Sequence, residues 1–120
     1  MILVDTSIWI DHLRSGNQHL SVLLDRAEVC MHPFIRGELA CGNLQQRTTI
    51  LALMRNLLSA RVATDDEVLF MIERHALMGQ GLGYIDMHLL AAVRLSDGVR
   101  LWTRDMRLNA AAQRLGYGYH

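Results

Sequence analysis

Each short apolar segment in this chain stops at an acid, a histidine or a hydroxyl residue and passes at once into a helical pattern. That alternation restricts the fold more than any other feature. Ile2-Leu3-Val4 ends at Asp5, and Thr6-Ser7 then supplies a capping pair for a helix over about residues 7–14. Gly16-Asn17 breaks that helix, and a second runs over about 18–27. Glu28–Met31 is the next strand, and Pro33 suits the first turn of a helix that closes at Gly42-Asn43. A helix over about 44–58 leads to a third strand at Arg61–Ala63. Asp65-Asp66-Glu67 begins a helix reaching about Met78, with its acids at the favourable end of the dipole. After the glycines at 79, 81 and 83 come a helix over Ile85–Leu95, a strand over Arg100–Thr103 and a helix over Asp105–Leu115, with Tyr117–Tyr119 a candidate edge strand. Strands alternating with helices predict an α/β sandwich with a mostly parallel sheet. Ligands of such sheets collect beyond the carboxyl ends of the strands.

No repeat or linker divides the 120 residues, so the sequence reads as one domain, 1–120, large enough to bury a core unaided. No apolar run approaches the roughly 20 residues of a membrane span, and no basic leader precedes the first strand. The expected setting is cytoplasmic, with no membrane partner. Cys30 and Cys41 lack the companions a zinc site requires and are expected to be free, apolar side chains.

All twelve basic residues are arginine, and the absence of lysine excludes a Walker-type phosphate loop and Schiff-base chemistry. The net charge of +0 argues against indiscriminate nucleic-acid binding. The charge is uneven, however. From Arg94 onward five arginines face two acids, a surplus of three, whereas the first 93 residues carry seven arginines against ten acids. A basic C-terminal third suits a phosphate-rich substrate; a solvated helix face accounts for it equally.

Four acids stand out. Asp5 and Asp105 lie at or just beyond strands that emerge on the same sheet edge if parallel, although each also precedes a helix and could serve only as its cap. Glu38 follows Phe34 by four and Ile35 by three, which places it on a core-facing stripe where it must be paired, as with Arg36 or Arg61, hydrogen-bonded, or bound to a metal. Asp86 opens a helix and shares a stripe with Leu90 and Val93, directing it toward the sheet edge. Carboxylates about 5 Å apart repel by on the order of 3 kcal/mol per pair at an effective dielectric near 20. A site that gathers four of them needs cations. All-oxygen ligands select hard ions, so Mg²⁺ or Mn²⁺ is expected, serving to activate water against a phosphodiester.

At these residues the sequence resembles PIN-domain ribonucleases, and specifically the VapC toxins of bacterial type II toxin–antitoxin pairs. The resemblance lies in Leu3-Val4-Asp5-Thr6-Ser7-Ile8-Trp9-Ile10-Asp11, His32-Pro33-Phe34 through Gly37-Glu38-Leu39-Ala40, Gly83-Tyr84-Ile85-Asp86 through Leu89-Leu90-Ala91-Ala92, and Leu101-Trp102-Thr103-Arg104-Asp105. These segments span essentially the whole chain. The resemblance implies a three-layer α/β/α PIN-like domain and a Mg²⁺-dependent endoribonuclease acting as the toxin of such a pair. It implies that Asp5, Glu38, Asp86 and Asp105 hold the metal and the attacking water, with Thr6, Ser7 and Thr103 orienting the carboxylates. It also implies an RNA substrate, a cognate antitoxin and a homodimer.

Arg104 and Arg107 flank Asp105 and are candidate phosphate contacts, or partners in a local ion pair. His88 does not share a helix face with Asp86 and reads as structural. Trp9 and Trp102 read as core or interface, and Met54, Met71 and Met78 as core fill. Two rivals remain. A non-catalytic RNA- or protein-binding module would not need the intact quartet. A phosphoryl-transfer enzyme with an Asp5 nucleophile would leave Glu38 and Asp86 without a purpose and would lack its lysine.

Overall fold

The computed structural model describes residues 1–120. Strand β1 (Ile2–Val4) is fully buried, as is β2 (Val29–Met31). Uninterrupted apolar runs of this kind belong to parallel strands covered on both faces. Between them lie α1 (Thr6–Ser15) and α2 (Gln18–Asp25). Helices α3 (Pro33–Ala40) and α4 (Arg47–Arg55) lead to β3 (Leu58–Ser59). Helices α5 (Asp65–Arg74) and α6 (Tyr84–Leu95) return the chain to β4 (Arg100–Trp102), and α7 (Met106–Leu115) follows.

The sheet is four-stranded and wholly parallel, in the order β3-β2-β1-β4. From β1 the chain first moves outward through β2 to β3, then crosses back to add β4 on the other side of β1. Right-handed crossovers in opposite directions put their helices on opposite faces, which makes three layers. Helices α1, α3 and α4 pack in succession in one layer, and α5 packs on α6 in the other. The reversal falls between β1 and β4, where Val4 is registered with Trp102 and the Asp5 N–H donates to the Trp102 carbonyl at 2.9 Å. A crevice opens at such a reversal beyond the strand ends. Asp5 and Thr103 stand directly at it.

Several boundaries differ from the sequence reading. The third strand is Leu58–Ser59, not Arg61–Ala63. The Ala60 N–H donates to the Met31 carbonyl, and β2 ends there, so residues beyond 60 have no strand left to pair with. Helix α4 begins only at Arg47 because Gln46 is left-handed, with φ 52°. Helix α5 stops at Arg74, four residues before Met78, and Met78 is 49% exposed, so it is not core fill as Met54 and Met71 are. The tail Tyr117–Tyr119 contributes a single bridge, Leu101 to Gly118, in place of a strand. Cys30 is buried but Cys41 is exposed, and both are free thiols. No helix is long and apolar enough to cross a membrane.

Candidate active site

Asp5 and Asp105 are both helix caps, and that is what orients them. Asp5 caps α1, in place of Thr6 or Ser7: one of its oxygens accepts from the Thr6 N–H at 2.8 Å. Its other oxygen accepts from the Thr103 hydroxyl at 2.7 Å. The Thr103 hydroxyl in turn accepts from the Asp105 N–H at 3.0 Å, and Asp105 caps α7 by accepting from the Leu108 N–H at 2.9 Å. Buried Thr103 therefore links the two acids across the end of β4. Capping and a second role are compatible, because a carboxylate offers about four lone-pair sites and a cap uses one or two.

Asp86 sits in the first turn of α6, and its Oδ2 accepts from the Gly83 N–H at 3.0 Å. Its Oδ1 has no protein partner. Partial burial pushes the Asp86 pKa above the ordinary carboxylate range, the Gly83 N–H pulls it back, and the charges of Asp105 and Asp5 add to the rise. Those last two contributions place three of the acids within electrostatic reach of one another.

Glu38 departs from expectation. It is exposed, and it pairs with neither Arg36 nor Arg61. The stripe was misassigned at Phe34, which is itself 36% exposed, whereas Ile35 and Leu39 carry the packing of α3. Glu38 faces the same crevice as the other acids, and its Oε1 accepts from the Thr6 hydroxyl at 3.0 Å.

All four acids line one open cleft of about 710 Å³, together with Thr6, Ser7, Tyr84 and Arg104. Ser7 is exposed on the wall and makes no hydrogen bond to any of the acids. The guanidinium of Arg104 is paired with Asp11 of α1, a residue the sequence reading missed because nothing local ties the two positions. Arg107 does not line the cleft; it lies across Gly81, where a Cβ would collide with it. No protein cation neutralises the quartet, since the ion pairs are Arg104 with Asp11 and His88 with Asp65. His88 is structural, as expected: it is buried, with Nε2 3.3 Å from Asp65.

The donor set is entirely oxygen, and its side chains are tethered by backbone amides and hydroxyls that leave lone pairs facing the cleft. No three His, Cys, Asp or Glu side chains are close enough to form a cage around an ion. A small hard cation that keeps several of its waters, and takes one or two carboxylates directly, fits such a set.

A three-layer parallel domain with acids gathered at its strand-order reversal defines a class, and the PIN-domain family matches the chain over residues 2–113. The chain belongs to that family. Within it, the chain is 49% identical over 116 residues to Ribonuclease VapC32 of Mycobacterium tuberculosis, in both the CDC 1551 / Oshkosh and the ATCC 25618 / H37Rv strains. The match covers 97% of this chain and 94% of the relative, which places the chain with the VapC group of PIN-domain proteins. Ribonucleases of this group are metal-dependent as a class.

Proposed function

We propose that the chain is a metal-dependent endoribonuclease, the toxin of a type II toxin–antitoxin pair, cutting single-stranded or looped RNA in the cytoplasm. The observation that carries this reading is the cleft itself: Asp5, Glu38, Asp86 and Asp105 come from four separate segments, and no protein cation offsets them. Mg²⁺ is the proposed ion, with Mn²⁺ able to replace it. A bound ion supplies an acidified water and charge stabilisation at the scissile phosphate. The residues of the chain hold the site ready. Thr103 and the Thr6 N–H fix both oxygens of Asp5, the Gly83 N–H fixes one of Asp86, and the Thr6 hydroxyl steadies Glu38. These anchors orient the remaining lone pairs at little reorganisation cost during reaction.

Arg104 stands on the cleft wall beside Asp105 and is proposed to contact an RNA phosphate; Arg107, packed against Gly81 and outside the cleft lining, is given no such role. An Asp5 nucleophile is not proposed, because it would leave Glu38 and Asp86 in the cleft without a purpose and the chain has no lysine to serve it. A cognate antitoxin and a homodimer complete the proposal, on the strength of kinship to a VapC ribonuclease.

The test is incubation of the purified protein with total RNA in Mg²⁺, in Mn²⁺ and in EDTA, followed by mapping of the cut ends. Discrete cuts in either metal, absent in EDTA and absent with Asp86→Asn, are expected. Equal cutting in EDTA, or by Asp86→Asn, would overturn the metal mechanism.

A further inference from the structure

Beside the carboxylates stands one aromatic side chain that the reaction does not require. Tyr84 is the first residue of α6, lines the same cleft as Asp86 and is 47% exposed. It is nonetheless held firmly. Its hydroxyl donates to Asp65 Oδ1 at 2.7 Å, and that same oxygen lies 3.3 Å from His88 Nε2. One side of the ring meets the buried His88 imidazole edge-on, with centroids 4.7 Å apart and planes at 89°. The hydrogen bond directs the hydroxyl and the edge contact restrains the rotation of the ring. The hydroxyl is spent on Asp65, so what the residue offers the cleft is its apolar ring.

We infer that Tyr84 is a stacking platform for an unpaired RNA base next to the scissile phosphate, with Asp65 and His88 as its positioning residues. The inference rests on the ribonuclease activity proposed for this chain. Its chemistry follows from the surroundings. Ile10 and Ile85 line the cleft with Tyr84 and are each 41% exposed, so apolar surface is available within a lining otherwise made of acids, hydroxyls and Arg104. Single-stranded RNA presents splayed bases that stack on aromatic side chains, largely without regard to sequence. A platform held rigid before binding loses less freedom when a base settles on it.

The experiment begins with a short RNA spanning a cut mapped with the wild type. The RNA is labelled with fluorescein and titrated by anisotropy against protein carrying Asp86→Asn to prevent turnover. Tyr84→Phe, Tyr84→Ala and Tyr84→Leu are compared in that background, with thermal melts to confirm that each is folded. Tyr84→Ala and Tyr84→Leu are expected to bind roughly 5- to 150-fold more weakly, the range for loss of one base–aromatic stack, and Tyr84→Phe within about twofold of the parent. Leu retains apolar bulk against His88 but has no π face, so it separates stacking from packing. Replacing bases near the cut one at a time with abasic sites should reveal one position whose loss costs as much as Tyr84→Ala and adds nothing to it. Parent-like binding by Ala and Leu, a Phe loss equal to that of Ala, or strict additivity at every abasic position would overturn the platform. If the wild type cuts no RNA in any metal, the ribonuclease reading fails first and the platform with it. If it cuts but Tyr84 proves indifferent, only the platform fails.

Discussion

Thr103→Val removes one hydroxyl and almost nothing else, and the structure says what that hydroxyl holds. It donates to Asp5 Oδ2 at 2.7 Å and accepts from the Asp105 N–H at 3.0 Å, from a residue that is 8% exposed. A hydrogen bond to a charged group contributes about 1.5–3 kcal/mol, and a neutral one about 0.5–1.5. Asp5 is half-buried and Asp105 exposed, so water recovers part of both, leaving a net loss of about 2–3 kcal/mol. In a domain of this size that lowers Tm by roughly 8–12 °C. The consequence for activity is separate: without the bridge, Asp5 and Asp105 lose their shared anchor. Loss of such an outer contact typically costs about 10- to 100-fold in metal affinity or activity. Differential scanning calorimetry and an RNA-cleavage assay read the two effects, with Thr103→Ser as the control that restores the hydroxyl and recovers most of the activity. A Thr103→Val protein with unchanged Tm and full cleavage would refute the argument that this hydroxyl organises the site.

Three further outcomes follow from particular residues. Glu38→Gln should change Tm by less than about 3 °C, because Glu38 is exposed and unpaired, while cleavage collapses and Mg²⁺ loses much of its power to raise Tm; a loss of several kcal/mol would restore the buried-pair reading. The Asp86 pKa is raised in the fold, chiefly by burial, so its ionisation disfavours the native state: metal-free stability contributed by this group is greatest at low pH and is lost as pH rises through the ordinary carboxylate range toward the raised value. Asp86→Asn should therefore be at least as stable as wild type at neutral pH without metal, and chemical denaturation in EDTA across pH checks it. Fully buried His32 is pushed down to about 4, by burial first and His88 second, so the native state keeps it neutral while the unfolded chain takes up a proton below about 6.5. Its contribution of about 3 kcal/mol is complete above pH 6.5 and lost as pH falls toward 4, and His32→Asn, which keeps an acceptor for the Phe34 N–H, should flatten that slope in acid-denaturation curves.

What the sequence disclosed and what it hid divide along physical lines. Asp5, Asp86 and Asp105 were legible because each stands at a boundary, where a strand's apolar run or a helix's first turn fixes its direction locally. The strand-end rule then brought them together. Glu38 lines the cleft, but not for the reason the stripe suggests: counting Phe34 as core puts the acid on a buried face, whereas both residues are exposed and Ile35 and Leu39 carry the packing. The edge strand was misplaced because β3 is two residues long and exposed, with Leu58 mostly in solvent, and leaves no apolar signature. The pairing of Arg104 with Asp11, the spacing of Arg107 from the cleft and the Tyr84–Asp65–His88 cluster join positions far apart in the chain. No spacing rule in one sequence reveals contacts of that kind.

The central claim is that the carboxylate cleft holds the ion on which RNA cleavage depends, one or two acids directly and the others through its waters. The most direct measurement titrates Mn²⁺ into the protein by electron paramagnetic resonance, alongside RNA cleavage, for the wild type and for Asp5→Asn, Glu38→Gln, Asp86→Asn and Asp105→Asn. The account predicts that folded variants lose Mn²⁺ affinity and cleavage together. Robust cleavage by a folded variant that no longer binds Mn²⁺, or undiminished Mn²⁺ binding in all four, would contradict it.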